Sequence, residues 1–98
     1  MAKFEVKDGN LYIDGKKVLK GWESFTGWYW FGTEIEGKQD TILDSGKVVE
    51  NDTIWFGFVQ GVFEEWGTWS EAELNEQIEK GRVWEIPKAN LPYSGRRR

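Results

Sequence analysis

The sequence predicts a single α+β domain, in which a twisted antiparallel β-sheet of about five to six strands carries one α-helix near residues 71–80. Three observations support this prediction. Most of the chain alternates apolar and polar residues with the two-residue period of a β-strand. Asp-Gly pairs and single glycines separate these runs, as turns do. One segment, after Ser70, carries both the start and the stop signals of a helix.

The N-terminal residues predict a β-meander built on two tight turns. The Asp-Gly pair at 8–9 is a favoured type I′ turn, because both of its central residues need a positive φ. A two-residue loop places Phe4 opposite Ile13 and Val6 opposite Leu11, so all four apolar side chains share one face. A second Asp-Gly pair directly follows Ile13 and returns the chain through a third short run.

The middle of the chain predicts a central strand, a polar connection and two further strands. Residues 28–36 begin with aromatic residues on both faces, which is typical of a strand that is buried on both sides. Residues 37–52 are polar and predict a long, partly ordered connection, within which 41–43 and 47–49 suit a short hairpin. Residues 53–61 give the strongest strand pattern, and residues 62–69 give another.

The helix signals surround a short amphipathic segment. Ser70 is a favoured N-cap, and Glu73 stands three residues later in the arrangement of a capping box. Leu74 and Ile78 lie on one helix face, and Gly81 is the expected left-handed stop. A short strand at 82–86 then closes a domain predicted to span residues 1–90, and residues 91–98 are predicted to form a flexible basic tail.

Composition narrows the chemistry that this domain can perform. The chain has no Cys and no His, which removes disulfides, thiolate nucleophiles, zinc sites and the imidazole base. Two acidic pairs, Glu34 with Glu36 and Glu64 with Glu65, fit a solvated sheet face better than a pair of catalytic carboxylates. We therefore predict no catalytic residues, no metal ligands and no cofactor, and expect a protein that is not an enzyme.

The charge of the chain indicates which partners it can bind, and its apolar pattern indicates its compartment. The net charge is −4, and without Arg96, Arg97 and Arg98 the remaining 10 basic and 17 acidic residues leave a net charge of −7. An acidic body repels nucleic-acid backbones, so we expect nucleic acid to bind at most weakly, through the arginine tail. No stretch has the length of a membrane span and no signal peptide precedes the first strand, which predicts a cytoplasmic protein.

Aromatic residues are the most unusual feature of the sequence. Seven Trp, six Phe and three Tyr exceed what one sheet face under one helix can cover, so we predict an exposed aromatic patch. Such a patch favours an interaction module that binds a protein partner or a second copy of the chain. The alternative is a carbohydrate- or single-stranded nucleic-acid-binding module that stacks its ligand on exposed Trp rings. The candidate patch residues are Trp22, Trp28, Trp30, Trp66 and Trp69.

Three segments together resemble a known family. They read W-Y-W-F-G-T-E at 28–34, W-F-G-F-V-Q-G at 55–61 and E-W-G-T-W-S-E-A-E-L at 65–74. Their order and spacing are similar to the W-T-W-x-x-T-E, F-F-G-L-V-x-G and E-L-G-Y-F-S-x-x-E-L segments of domain of unknown function 2958, a family carried on plasmids, phages and conjugative elements. The E-R-D segment that usually ends the family is replaced here by W-E-I-P at 84–87. The resemblance implies a virus, phage or plasmid setting and no particular chemistry.

Overall fold

The computed structural model describes residues 2–95, which form two antiparallel sheets, one α-helix and one short 3₁₀ helix. The α+β class with a single α-helix is therefore confirmed. The strands are β1 (Phe4–Lys7), β2 (Asn10–Ile13), β3 (Lys16–Lys17), β4 (Lys20–Ser24), β5 (Tyr29–Ile42), β6 (Val48–Gln60), β7 (Glu64–Ser70) and β8 (Val83–Glu85). The helix α1 spans Glu71–Glu79, and the 3₁₀ helix spans Lys88–Tyr93.

The first sheet is the predicted meander, with strand order β1-β2-β3. Phe4 pairs with Ile13 and Val6 pairs with Leu11, as the two-residue loop requires. Asp8 and Gly9 have φ values of 53° and 77°, the conformation of a type I′ turn. Local turn chemistry and the apolar pattern therefore fix this register together.

The second sheet has five strands in the order β7-β6-β5-β4-β8, and it is covered on both faces. Successive side chains of a strand point to opposite faces, so neighbours such as Trp30 and Phe31 enter different cores. The meander and the 3₁₀ helix cover one face, and α1 covers the other. The meander-side core contains Leu11, Ile13, Val18, Phe31, Phe58, Ile86 and Leu91. The helix-side core contains Trp22, Trp55, Leu74 and Val83.

The long hairpin of β5 and β6 corrects the prediction of a polar connection over residues 37–52. The ladder continues without a break in strand assignment to Ile42, and only residues 43–47 turn, within the short hairpin that the sequence did indicate. The register shifts between Gly32 and Glu34, between Ile35 and Gly37, and between Gln39 and Thr41. These bulges break the two-residue alternation of apolar and polar residues from which a strand is predicted. Backbone pairing does not require apolar side chains, so the polar part of the hairpin forms without a recognisable strand pattern in the sequence.

A row of glycines crosses the helix-side face of this sheet. Gly32 pairs with Gly57, and Gly57 pairs with Gly67, on three adjacent strands. A Cβ on Gly32 would lie 2.5 Å from the ring of Trp55, and one on Gly57 would lie 2.9 Å from the ring of Trp69. The missing side chains let both indole rings lie directly on the sheet surface.

The C-terminal segment corrects a second prediction. Leu91 is only 4% exposed within the meander-side core, and Pro92 and Gly95 are also buried. A Cβ on Gly95 would lie 2.4 Å from the Phe31 ring, which shows how closely the backbone approaches the core. Residues 91–95 therefore pack against the domain and are not a free tail. Arg96, Arg97 and Arg98 lie outside the described residues.

Candidate functional site

The structure separates the candidate aromatic residues into a buried one and several half-buried ones. Trp22 is 0% exposed and packs edge-on against Trp55, so its inclusion in an exposed patch was wrong. Its ring faces the helix-side core from β4. The sequence did not indicate that this strand would be covered on both of its faces. Four candidates are half-buried and retain some accessible ring surface: Trp28, Trp30, Trp66 and Trp69.

The most exposed apolar side chains near these residues come from two turns. Phe25 is 68% exposed in the turn between β4 and β5, and Val62 and Phe63 are each 78% exposed in the turn between β6 and β7. We call these three residues the apolar tip. They are not among the five candidate patch residues, although Phe25 and Phe63 belong to the same aromatic-rich segments of the sequence, in which we expected some rings to be exposed. An aromatic residue in a turn has no strand face through which to reach the core.

The two turns of the apolar tip are neighbours. Tyr29 pairs with Gln60, so the β4–β5 and β6–β7 turns leave the same end of the sheet side by side. Trp28 bridges them, because its ring lies where a Cβ on Gly61 would come within 2.4 Å of it. Trp28 in turn stacks on Trp30 with a centroid separation of 6.1 Å. The apolar tip is thus continuous with half-buried indole surface.

A groove runs between α1 and the helix-side face of the sheet. Its volume is about 330 Å³, and two indole rings, from Trp30 and Trp69, form its aromatic wall. We call it the tryptophan groove. Gln77 and the three carboxylates Asp44, Glu73 and Glu76 line its polar side. The long hairpin supplies Asp44, because its tip is held close to the helix.

The tryptophan groove is acidic within the described part of the chain. No Lys or Arg of residues 2–95 lines it, and in the same residues none of Asp44, Glu73 and Glu76 takes part in an ion pair. The indole Nε1 of Trp69 is buried and finds no hydrogen-bond acceptor in the same part of the chain. Among the described residues, the groove therefore combines two indole rings with carboxylates that form no ion pair.

A buried carboxylate, Asp52, holds the hairpin against the start of α1. It accepts hydrogen bonds from the Ser70 hydroxyl, from the Thr41 hydroxyl at 2.7 Å and from the backbone N–H of Ala72 at 2.9 Å. Burial acts to raise its pKa, but these bonds and one from the Thr53 backbone together lower the pKa below the usual value for Asp. Asp52 is therefore an ionised structural acceptor, and its donors already occupy it.

The predicted helix cap is part of this same network. The Ser70 hydroxyl accepts a hydrogen bond from the backbone N–H of Glu73 at 3.1 Å, which confirms Ser70 as the N-cap. The same hydroxyl donates to Asp52, so one side chain joins the helix cap to the hairpin.

The acidic pairs weighed in the sequence lie apart from each other. Glu34 and Glu36 are exposed on β5, and Glu64 accepts a hydrogen bond from Gln60 at 3.0 Å on the edge strand β7. Among residues 2–95, no group of three or more acidic side chains is arranged to hold a metal ion. No helix in the described part of the chain is long and apolar enough to cross a membrane.

Comparison with known proteins identifies no relative. No family model matches the chain, and no curated protein or solved structure matches it either. The resemblance to domain of unknown function 2958 therefore stays a prediction.

Proposed function

We propose that this chain is a small non-catalytic interaction module that binds another protein through the apolar tip. The observation that carries the proposal is the exposure of Phe25, Val62 and Phe63 on two adjacent turns. Full burial of one such side chain contributes about 1.5–3 kcal/mol, so three can anchor an interface. Contiguous exposed apolar surface on a small domain commonly marks such a contact.

Two carboxylates near the start of α1 have structural roles. Asp52 accepts hydrogen bonds from several donors, and Glu71 accepts from Trp55 Nε1 at 2.6 Å and from Lys20 Nζ at 3.1 Å. A second copy of this chain is the first partner to test, because a self-complementary apolar tip would form a symmetric dimer. The resemblance adds a mobile genetic element as the setting, with the host cytoplasm as the compartment.

The test combines self-association with site-specific cross-linking. Sedimentation is measured for the chain, for the double variant Val62→Ser, Phe63→Ser, and for the control Ile42→Ser, whose side chain is 71% exposed far from the tip. A photo-cross-linking residue at position 63 or 42 is then used in cells, and any protein captured is purified and titrated against the same variants. We expect association that the double variant abolishes and the control preserves.

Two results together would refute the proposal. The chain would sediment as a monomer at millimolar concentration, and position 63 would capture nothing that position 42 does not. Association that the Ile42→Ser control weakens as much as the double variant would also contradict it, because the apolar tip would then hold no special place in the interface.

One observation supports the alternative function, in which a carbohydrate or a single-stranded nucleic acid stacks on Trp rings: Trp30 and Trp69 line a groove. Three carboxylates in that groove repel a phosphate backbone, so a saccharide is a better candidate there than a nucleic acid. Tryptophan fluorescence measured during titration with soluble oligosaccharides tests this alternative. Saturable quenching that is lost in Trp30→Leu would favour it.

A further inference from the structure

We propose that the partner of the apolar tip is a second copy of this chain, and that the arginine tail of each copy, residues 96–98, pairs with Glu64 and Glu65 of the other copy. The inference rests on the proposed function, because it identifies the partner of the same surface. It adds a charged contact, contributed by both copies, around the apolar one.

The arginine tail begins at the end of the sheet that carries the apolar tip. Gly95 directly precedes the tail, and a Cβ on Gly95 would lie 2.4 Å from the Phe31 ring and 3.0 Å from Gln60 Oε1. Gln60 pairs with Tyr29 on one side and with Glu64 on the other, at the end where the two tip turns leave the sheet. The tail is therefore attached to the domain beside the apolar tip.

Close packing fixes this point of attachment. Gly95 is buried and has a φ of 69°, a left-handed conformation that favours glycine. Leu91, four residues earlier, is 4% exposed in the meander-side core. Three residues of fully extended chain span at most about 11 Å, so the backbone of residues 96–98 stays within that distance of Gly95. Three positive charges are thereby held at the tip end of the molecule.

Two carboxylates flank the apolar tip on the neighbouring strand. Glu64 and Glu65 follow Phe63 directly, as the first two residues of the edge strand β7, and both are exposed. The apolar side chains of the tip, a pair of carboxylates and the start of the arginine tail therefore occupy one end of the sheet. This end carries both signs of charge beside an apolar surface.

A two-fold axis brings these charges into complementary positions. In a symmetric dimer the same surface patch is used by both copies, so a contact between two different residues is made twice. A tail that crosses the axis to Glu64 and Glu65 of the other copy is matched by the second tail crossing in the opposite direction. Arg suits this contact, because its planar fork of N–H donors fits the geometry of a carboxylate.

The acidic body of the chain explains why a dimer needs the tails. Without residues 96–98, the 10 basic and 17 acidic residues give a net charge of 10 − 17 = −7. Two such bodies repel each other, and contact through the tips brings the Glu64 and Glu65 side chains of both copies toward one interface. Three arginine residues from each copy offset this repulsion where the copies meet. The chain itself thus supplies the acidic surface that its tail requires.

Charge-exchanged variants of the full chain test the pairing. One carries Glu64→Lys with Glu65→Lys, and the other carries Arg96→Glu, Arg97→Glu and Arg98→Glu. Sedimentation up to millimolar concentration should show a parent dimer whose affinity falls as salt is added, and each variant alone should dimerise at least about tenfold more weakly. An equimolar mixture of the two variants should dimerise again, because each tail then meets side chains of opposite charge.

Glu36→Lys combined with Glu50→Lys is the matched control. It changes the net charge by the same amount at two exposed positions of the long hairpin, away from the tip. We expect this control to dimerise at least as strongly as the parent, since it reduces the repulsion between bodies. Gln60 Nε2 donates to Glu64 at 3.0 Å, so Glu65→Lys alone is a second test variant, one that keeps this bond if the double variant is unstable.

The mixture separates pairing between copies from pairing within one copy. A tail that binds Glu64 and Glu65 of its own chain gains nothing when the two variants are mixed. Failure of the mixture to recover the dimer would therefore overturn the inference, as would equal recovery when the tail variant is mixed with the control. A parent chain that stays monomeric at millimolar concentration would also overturn it.

The tip variant keeps a failure of this inference distinct from a failure of the proposed function. If Val62→Ser with Phe63→Ser abolishes the dimer and the charge variants change nothing, the apolar tip is supported and the charge pairing is wrong. If the charge variants weaken the dimer and the tip variant does not, the proposed function is wrong and the pairing between copies is supported.

Discussion

Replacing Asp52 with alanine should destabilise the fold more than any surface change on the long hairpin. Asp52 is 4% exposed and accepts from Ser70, Thr41 and the backbone of Ala72. Hydrogen bonds to a charged group contribute about 1.5–3 kcal/mol each, but the freed hydroxyls can partly reorganise. We therefore expect a loss of about 4 kcal/mol in the free energy of unfolding, within the range seen when one partner of a buried charged contact is removed.

A loss of this size is large for a small domain. Domains of this kind have unfolding free energies of about 5–15 kcal/mol. For a chain of this length, 1 kcal/mol corresponds to about 4–8 °C, so the melting temperature of Asp52→Ala should fall by about 15–30 °C. Urea denaturation at pH 7 measures the free energy directly.

Asp40→Ala is the matched control for this prediction. Asp40 is exposed on the same hairpin and accepts one hydrogen bond from the Asn51 backbone at 3.1 Å. Its replacement should change the free energy of unfolding by less than about 1 kcal/mol. If Asp52→Ala and Asp40→Ala destabilise the protein equally, Asp52 does not join the hairpin to the helix.

The pH dependence of stability gives an independent check on the charge of Asp52. Its pKa is lower in the folded chain than in the unfolded chain, so the ionised form stabilises the fold above the ordinary Asp pKa of about 3.9. This contribution is lost as the pH falls through the lowered pKa. The Asp52→Asn variant should be less stable at pH 7 and should lose less stability below about pH 4 than the parent chain.

Five further variants, three substitutions and two deletions, test the packing. Gly57→Ala should lower the free energy of unfolding by about 3 kcal/mol or more, because a Cβ would lie 1.9 Å from the Phe31 carbonyl oxygen. In the control Gly67→Ala, where a Cβ would meet nothing within 4 Å, the free energy of unfolding should change by about 0.5 kcal/mol. Ser70→Ala should cost about 2 kcal/mol by urea denaturation, since it removes both the helix cap and a donor to the buried carboxylate. Deleting residues 96–98 should leave the melting temperature unchanged. Deleting residues 91–98 should lower the melting temperature by about 10 °C or more, because it removes the core side chain of Leu91.

The sequence alone predicted those parts of the fold that depend on residues close together in the chain. The first hairpin follows from an Asp-Gly turn and four apolar residues within ten positions, and its register was confirmed. The helix follows from Ser70 and the residues immediately after it, and both its start and its cap were confirmed. In each case the residues that make the turn or the cap, and the residues that pair or hydrogen-bond because of it, lie within one short segment of the chain.

The candidate site depended on how the layers stack, which the sequence leaves open. The sequence prediction assumed that only one face of the sheet is covered, and sixteen aromatic rings exceed what one face can bury. The meander covers the second face and buries some of the remaining rings. Trp22 was therefore misassigned, and the five candidate residues left out Phe25 and Phe63, which lie in turns and are the more exposed rings. No local pattern reports whether a sheet is covered on one side or on both.

The long hairpin and its buried carboxylate required the tertiary structure for a different reason. Bulges in β5 erase the alternation that would reveal a strand, and the polar residues of 37–52 resemble those of a loop. Asp52 accepts from the helix cap Ser70 and from Ala72 in α1, which are 18 and 20 residues away, because chain folding brings the hairpin over the helix N-terminus. Sequence determines the contacts between near neighbours, because their geometry is set by a few dihedral angles. The contacts that make the groove and hold the hairpin join distant segments, and only the packed layers bring those segments together.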